Sequence, residues 1–354
     1  MINLLIAGVA VGAIYALIAL GFVVIYKATG VINFAHGAIM GVGAYLVFDL
    51  RTGLGLSLPI GLLLGVAMAI PAARYLVARL QRRVEVPERG AAILATAMLA
   101  APLTVFLTAE VEGLGFWTRL GLACVLTAYV GIAFEFAVLR RMVGQPMFAI
   151  VMVTIGLEIA LRIGLEVRYG SPEVSLAAPF TGQVEFLGAT VSAGRFWVVG
   201  VAALALVAFF LFFRFTDAGI AMRATAVDQE AARMVGVSAR QVFASSWAIA
   251  AILATVAGAL LVSAFPGASL APPVVFVALR AFPAAIVGGL DSTGGAVVGG
   301  LLIGVVELLV AGYQPSLLPW LGEGFHEVAA YLVMILVLLV RPHGLFGSPE
   351  IERV

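Results

Sequence analysis

Charge is what this 354-residue sequence has least of: Asp, Glu, Lys and Arg make up 11% of it, against about 25% in average soluble domains. Cys124 is the single cysteine, which excludes a disulfide framework and a cysteine-based metal cluster. The three histidines, His36, His326 and His343, stand far apart and form no spaced metal motif. No basic arm interleaved with aromatics is present, so nucleic acid is not an expected partner. No Gly-x-x-x-x-Gly-Lys-Ser/Thr loop exists to cradle phosphates, so the chain is not expected to bind ATP. Paired acidic motifs and nucleophile–histidine sets are also missing, which argues against an enzyme.

What fills the sequence is apolar: 63% of residues are hydrophobic, and the mean hydropathy is +1.15. A soluble core of this length cannot hide that much apolar surface, so lipid must cover much of it. About 20 apolar residues cross a bilayer as a helix. Candidate spans are 4–26, 56–73, 91–109, 120–139, 146–167, 196–213, 243–265, 296–315 and 327–340. The first follows Met-Ile-Asn without a basic flank and is read as a membrane segment, not a signal peptide. Two further segments, 35–49 with His36 and several glycines, and 273–290 with Pro273, Arg280 and Pro283, read as broken or re-entrant helices lined by protein. The expected fold is therefore an all-α polytopic helical bundle of 8 to 11 membrane segments in one domain, 1–354.

Basic residues cluster at 74–89 (Arg74, Arg79, Arg82, Arg83, Arg89), at Arg140 and Arg141, at 214–240 (Arg214, Arg223, Arg233, Arg240) and at Arg341. Loops 110–119 and 170–195 are poorer in them. The positive-inside rule puts the first group and the C-terminus in the cytoplasm. The N-terminus is outside if 35–49 crosses and inside if it only dips in.

Polar residues inside apolar runs mark cavities, pairs or solute paths. Asn33, His36 and Gly37 precede the glycine-rich run to Tyr45. Thr154, Glu158, Arg162 and Glu166 recur every four residues, one stripe on a helix with ion-pair spacing. Glu135 and Glu307 are lone carboxylates without a partner assignable from spacing. The glycine-dense stretch 288–304 suits close helix packing and also a broken helix beside a substrate path. On these grounds the candidate translocation path is Asn33, His36, Gly37, Glu158, Arg162, Pro283, Gly288 and Gly289.

The longest polar-patterned stretch between spans is 215–241. Thr225 with Asp228 reads as a capping box that starts a two-turn helix through Glu230, Ala231, Ala232 and Arg233. Gly236 ends that helix, and Ser238 with Gln241 opens the next span. Such a short, rigid, amphipathic element suits a groove on another protein.

The string Glu230-Ala231-Ala232-x-x-x-Gly236 resembles the coupling loop of ATP-binding-cassette (ABC) importer permeases. GAIYALIALGFVVIYKATGVINFAHGAIMGVGAY at 12–45, GIAMRATAVDQEAARMVGV at 219–237, AFPAAIVGGLDSTGGAVVGGLLIGVVE at 281–307 and LVLLVRPHGLFG at 336–347 resemble the branched-chain amino acid permeases among them. The resemblance covers nearly the whole chain, which is longer than it leads one to expect, with the extra length placed at 79–90 and 170–195. It implies a non-enzymatic subunit of a bacterial cytoplasmic-membrane importer, without a cofactor of its own. It implies as partners a second related permease of the LivM type, two cytoplasmic ATP-binding subunits carrying ATP, and an extracytoplasmic solute-binding protein. It implies Asp228, Glu230, Ala231, Ala232, Arg233 and Gly236 as the contact to the ATPase, and uptake of branched-chain amino acids or a related small solute such as urea, an amide or an organic acid. The reading it competes with is an ion-coupled secondary transporter or channel, for which Glu158 and Glu307 would be the membrane carboxylates.

Overall fold

The computed structural model describes residues 2–50, 114–142, 145–170, 182–186, 188–264, 270–322 and 324–348, together with isolated positions between 62 and 100 and at 176. The candidate spans 56–73 and 91–109 and the arginine cluster at 74–89 therefore lie, but for those isolated positions, outside the described residues.

Helix α1 (Ile2–Thr29) carries no charge before Lys27. It ends where Thr29 turns its hydroxyl back onto the Ile25 carbonyl at 2.8 Å and Gly30 takes φ 72, the left-handed geometry that stops helices. Helix α2 (His36–Asp49) follows after a short non-helical turn. Next come α3 (Phe116–Met142) and α4 (Met147–Tyr169). A small antiparallel hairpin of β1 (Gln183–Phe186) and β2 (Ala189–Ser192) leads into α5 (Ala193–Phe215). Two short helices, α6 (Asp217–Val227) and α7 (Gln229–Met234), precede α8 (Ala239–Ala264). The chain closes with α9 (Val277–Gly288), α10 (Thr293–Leu317) and α11 (Phe325–Val340).

The all-α membrane bundle expected from composition is what forms. Among the described residues six helices are long and apolar enough to cross a bilayer: α1, α3, α4, α5, α8 and α10. By contrast, α2 is about 21 Å long and α9 about 18 Å at 1.5 Å per residue, short of the roughly 30 Å hydrocarbon core. Both ambiguous segments are thus interrupted helices. The loop expected at 110–119 is shorter than that, because α3 already begins at Phe116. The loop expected at 170–195 contains the hairpin, whose alternating Gln183–Phe186 and Ala189–Ser192 pair in register.

Helix α1 is the axis of the bundle. In its most apolar 18-residue stretch 89% of residues are buried, against 17% in α4 and 22% in α5. The latter two leave their apolar sides for lipid or another subunit. α1 packs most extensively on α10 and α8. The α1–α10 crossing is a seam of small residues at four-residue spacing. A Cβ on Gly8 or Gly12 would stand 2.8 Å from the Cα of Val305 or Leu301, and Gly300 and Gly304 meet the backbones of Ala16 and Gly12. In lipid, where no hydrophobic force drives helices together, such close backbone approach supplies the packing.

Two devices hold the interrupted helix α9. Pro283 lies inside it and cannot donate to the carbonyl four residues back, that of Leu279. The Tyr331 hydroxyl of α11 donates to that oxygen at 2.9 Å. At the other end the carbonyls of Val287 and Gly288 accept from the amides of Leu345 and Phe346 at 2.8 and 3.1 Å. The segment after α11 thus folds back under α9, and Ser348 donates its amide to Asp291 at 2.8 Å.

Candidate translocation path and coupling loop

The two interrupted helices meet each other, and α4 packs on α2 and on the turn Pro272–Phe276 that leads into α9. Asn33, fully buried, accepts from the Ala35 amide with its side-chain oxygen at 3.0 Å and so fixes the turn that leads into α2. Its Nδ2 has no hydrogen-bond partner among the described residues. His36 is also fully buried. Its ring lies 4.7 Å from that of Phe22, fills the space left by Gly21, and approaches the Ile18 backbone without meeting full hydrogen-bond geometry. Gly37 abuts the Val275 carbonyl and sets its missing Cβ 2.9 Å from Ala278, so the entry to α2 lies against the entry to α9. Phe282, beside Pro283, contacts Phe22 and Phe34 at 5.4 and 5.8 Å between ring centres.

Helix α4 joins this junction through its predicted stripe. Thr154 accepts from the Phe34 amide at 3.3 Å and donates to Val151 at 2.9 Å. Two turns further on, Arg162 binds Glu158 at 3.2 Å and Glu166 at 3.0 Å and stands over the Phe276 ring at 5.4 Å. The four-residue spacing therefore yields the ion pairs that it predicts. Asn33, His36, Gly37, Pro283, Glu158 and Arg162 belong to one neighbourhood of α2, α4 and α9. Gly288 and Gly289 do not join it. They lie at the far end of α9, where Gly288 packs on Gly295 and Gly289 on Gly347 and the His343 carbonyl.

Glu135, without an assignable partner in the sequence, pairs with Arg140 at 2.9 Å. The spacing of five is not a regular helical one. It becomes available because α3 passes through a π-helical turn at Glu135–Leu139.

The stretch 215–241 holds one helix more than expected. Thr216 caps the additional helix, α6: its hydroxyl accepts from the Gly219 amide at 3.1 Å and donates to the Phe212 carbonyl at 2.7 Å. The Thr225–Asp228 capping box does not form. Thr225 sits inside α6, its hydroxyl bonded to the Ala221 carbonyl at 2.8 Å. Asp228 alone caps α7, accepting from the amides of Glu230 and Ala231 at 2.9 Å. The expected stop holds. Gly236 has φ 90, its amide bonds to the Arg233 carbonyl and that of Val237 to the Ala232 carbonyl, both at 3.0 Å, which is the Schellman pattern. Ser238 stands at the start of α8, its carbonyl accepting from Gln241 and Val242.

The pair α6–α7 is anchored on one side and bare on the other. Arg223 donates to the carbonyls of Phe213 and Arg214 and stacks over the Phe213 ring at 5.5 Å. Gly219 packs on the carbonyls of Phe212 and Phe213 with no room for a side chain. Of the predicted contact residues, Ala232 turns inward, while Asp228, Glu230, Ala231, Arg233 and Gly236 face out. With them stand Val227, Met234 and Val235, 90%, 84% and 80% exposed. These three apolar side chains stand exposed on the segment that connects α5 to α8. Sequence reasoning missed the anchor, Arg223; the signal for it was an arginine shortly after a span, within reach of the carbonyls that the span leaves free.

Known proteins resemble the chain over its whole length. A family profile described as the permease component of the branched-chain amino acid transport system matches residues 4–113 and 90–340. The high-affinity branched-chain amino acid transport system permease protein LivH of Salmonella typhimurium is 31% identical over 353 residues, covering 98% of this chain and 96% of that protein. LivH of Escherichia coli K12 is 30% identical over the same shares. BraD of Pseudomonas aeruginosa, described in the same words, is 28% identical over 99% of this chain and 97% of its own.

Proposed function

The chain belongs to the family of branched-chain amino acid transport system permease components, and from that premise we propose how it works. It is a multi-pass membrane permease subunit, and its solute is a branched-chain amino acid. It pairs with a second related permease and with two ATP-binding subunits, and receives its solute from an extracytoplasmic binding protein. ATP binds to the partner subunits. The membrane is the bacterial cytoplasmic one, with the face that carries α6, α7 and the segment after α11 turned to the cytoplasm.

The observation that carries this reading is the α6–α7 pair. Its outer face offers Val227, Met234 and Val235 with Glu230 and Arg233 around them, and its inner face is clamped by Arg223 to the last turn of α5. A push from an ATPase on that face reaches α5 without slack, and α5 packs on α1. The junction of α2, α4 and α9 is the proposed solute path, lined by Asn33, His36, Gly37, Glu158, Arg162 and Pro283. Irregular backbone at membrane depth is tolerated where it borders a cavity or is buried in protein, and both interrupted helices place theirs there. Gly288 and Gly289 serve that path indirectly, by letting the inner end of α9 pack closely.

The test is recovery of the chain from its native membranes in mild detergent, with identification of what stays bound and measurement of uptake. Recovery with a second permease and two copies of an ATPase, and leucine, isoleucine or valine uptake that stops on ATP depletion, is expected. Recovery of the chain alone, with uptake that follows an ion gradient, would replace this reading by an ion-coupled transporter.

A further inference from the structure

Glu307 sits in the middle of α10 and is 5% exposed. An ionisable side chain at such depth in a membrane domain is costly and marks a solute or ion path by default. Tyr15, from the buried face of α1, turns its hydroxyl toward that carboxylate. The second oxygen, Oε2, has no partner among the described residues. Arg280 of α9 and His326 and Glu327 of α11 lie within electrostatic reach of Glu307. Arg280 is engaged by Glu327 at 2.6 Å, with side chains 35% and 43% exposed. Four helices thus build a polar cluster that runs from a half-exposed ion pair to a buried carboxylate with a free acceptor.

The position of the cluster is set by the chain. α11 begins beside it at Phe325 and runs to Val340, after which the chain docks under the far end of α9 and at Asp291. Asp291 is within electrostatic reach of Lys27 at the end of α1, and Lys27 stands 5.9 Å from the Phe213 ring that Arg223 also covers. The coupling loop and the segment after α11 therefore share one face of the bundle, and the cluster lies toward the opposite one.

We propose that Glu307 and Tyr15 form a subsite for the ammonium group of an amino acid entering from the face opposite the coupling loop. A buried acceptor with no donor suits an ammonium, which brings three N–H groups and a compensating charge. The one guanidinium in the cluster is held by Glu327. That outer pair presents one charge of each sign to a zwitterion on its way in. The inference rests on the reading of the chain as an amino acid permease and deepens it, since urea, amides and organic acids carry no ammonium.

The assembled transporter, in lipid nanodiscs without its binding protein, is titrated with radiolabelled leucine, with 3-methylbutan-1-amine and 4-methylpentanoate as competitors. The amine is expected to compete and the acid is not. Glu307→Gln keeps the shape and an acceptor for Tyr15 but removes the charge. It is expected to weaken leucine binding and uptake by about tenfold or more, the worth of one charge-assisted hydrogen bond, with unchanged recovery of all subunits. Unchanged leucine binding in that variant, competition by the acid alone, or no leucine binding by a wild-type complex that still takes leucine up would each overturn the subsite. Should the variant fail to assemble, the competition pattern of the wild type decides. A wild-type complex that takes up no branched-chain amino acid would instead overturn the transporter reading itself.

Discussion

The Tyr331 hydroxyl of α11 stands 2.9 Å from the Leu279 carbonyl of α9, the one oxygen that Pro283 leaves without its helical donor. A proline in a membrane helix is tolerable when a neighbour re-satisfies the freed group, and here the neighbour is a single side chain.

Tyr331→Phe is therefore expected to destabilise the complex by about 1 kcal/mol, the usual worth of such a bond. Pro283→Ala, which restores the amide, should cancel much of that loss in the double variant. Thermal unfolding in detergent reads both, and additive effects would show that the hydroxyl does not serve that carbonyl.

Gly236→Pro and Glu230→Arg are expected to leave membrane insertion and subunit recovery intact while ATP hydrolysis no longer drives uptake. Gly236 holds φ 90, which proline cannot adopt, and Glu230 sits on the bare face of α7. Parallel assays of hydrolysis and uptake check this. Wild-type uptake in both variants would remove α7 from the coupling path.

Arg223→Ala should have the same phenotype by a different cause, because its side chain fastens α6 to α5. Hydrogen bonds from a charged donor are worth about 1.5–3 kcal/mol, enough to let the loop move without the helix. The expected sign is a lower ratio of solute moved to ATP hydrolysed, with the ATPase still bound on co-purification. A loss of ATPase binding itself would make Arg223 a contact residue instead.

Gly304→Leu places a side chain where the backbone of Gly12 stands. The α1–α10 seam must then open, and overpacking of this kind costs about 1–3 kcal/mol. Lower yield and lower thermal stability are expected, whereas Gly200→Leu, where a side chain meets open space, should change neither. Equal stability of the two variants would argue against the seam.

How much of this was written in the sequence depends on the range of each interaction. Span identity follows from local hydropathy, and the two interrupted helices from Gly and Pro within 35–49 and 273–290. The pairs of Arg162 with Glu158 and Glu166 follow from helical spacing. The cap of α7 was misassigned by one partner because Thr225 and Asp228 are both good capping residues, and the choice fell to whether α6 forms at all. Partners on different helices, Tyr15 with Glu307, Arg280 with Glu327 and Tyr331 with Leu279, carry no spacing signal. They exist only once the seam of glycines has set how closely the helices cross. Glu135 found Arg140 only because the helix slips into a wider turn between them.

The strap under α9 bears on how the protein is made. Its inner carbonyls and the Asp291 carboxylate receive their donors from residues up to 58 positions later in the chain. During synthesis α9 and α10 enter the membrane with that end unfinished, and it stays so until α11 is inserted and the residues after it leave the ribosome. A chain stopped within α11 would then have its earlier helices in place and the inner end of α9 still open, a state that quality-control proteases could tell from the completed protein.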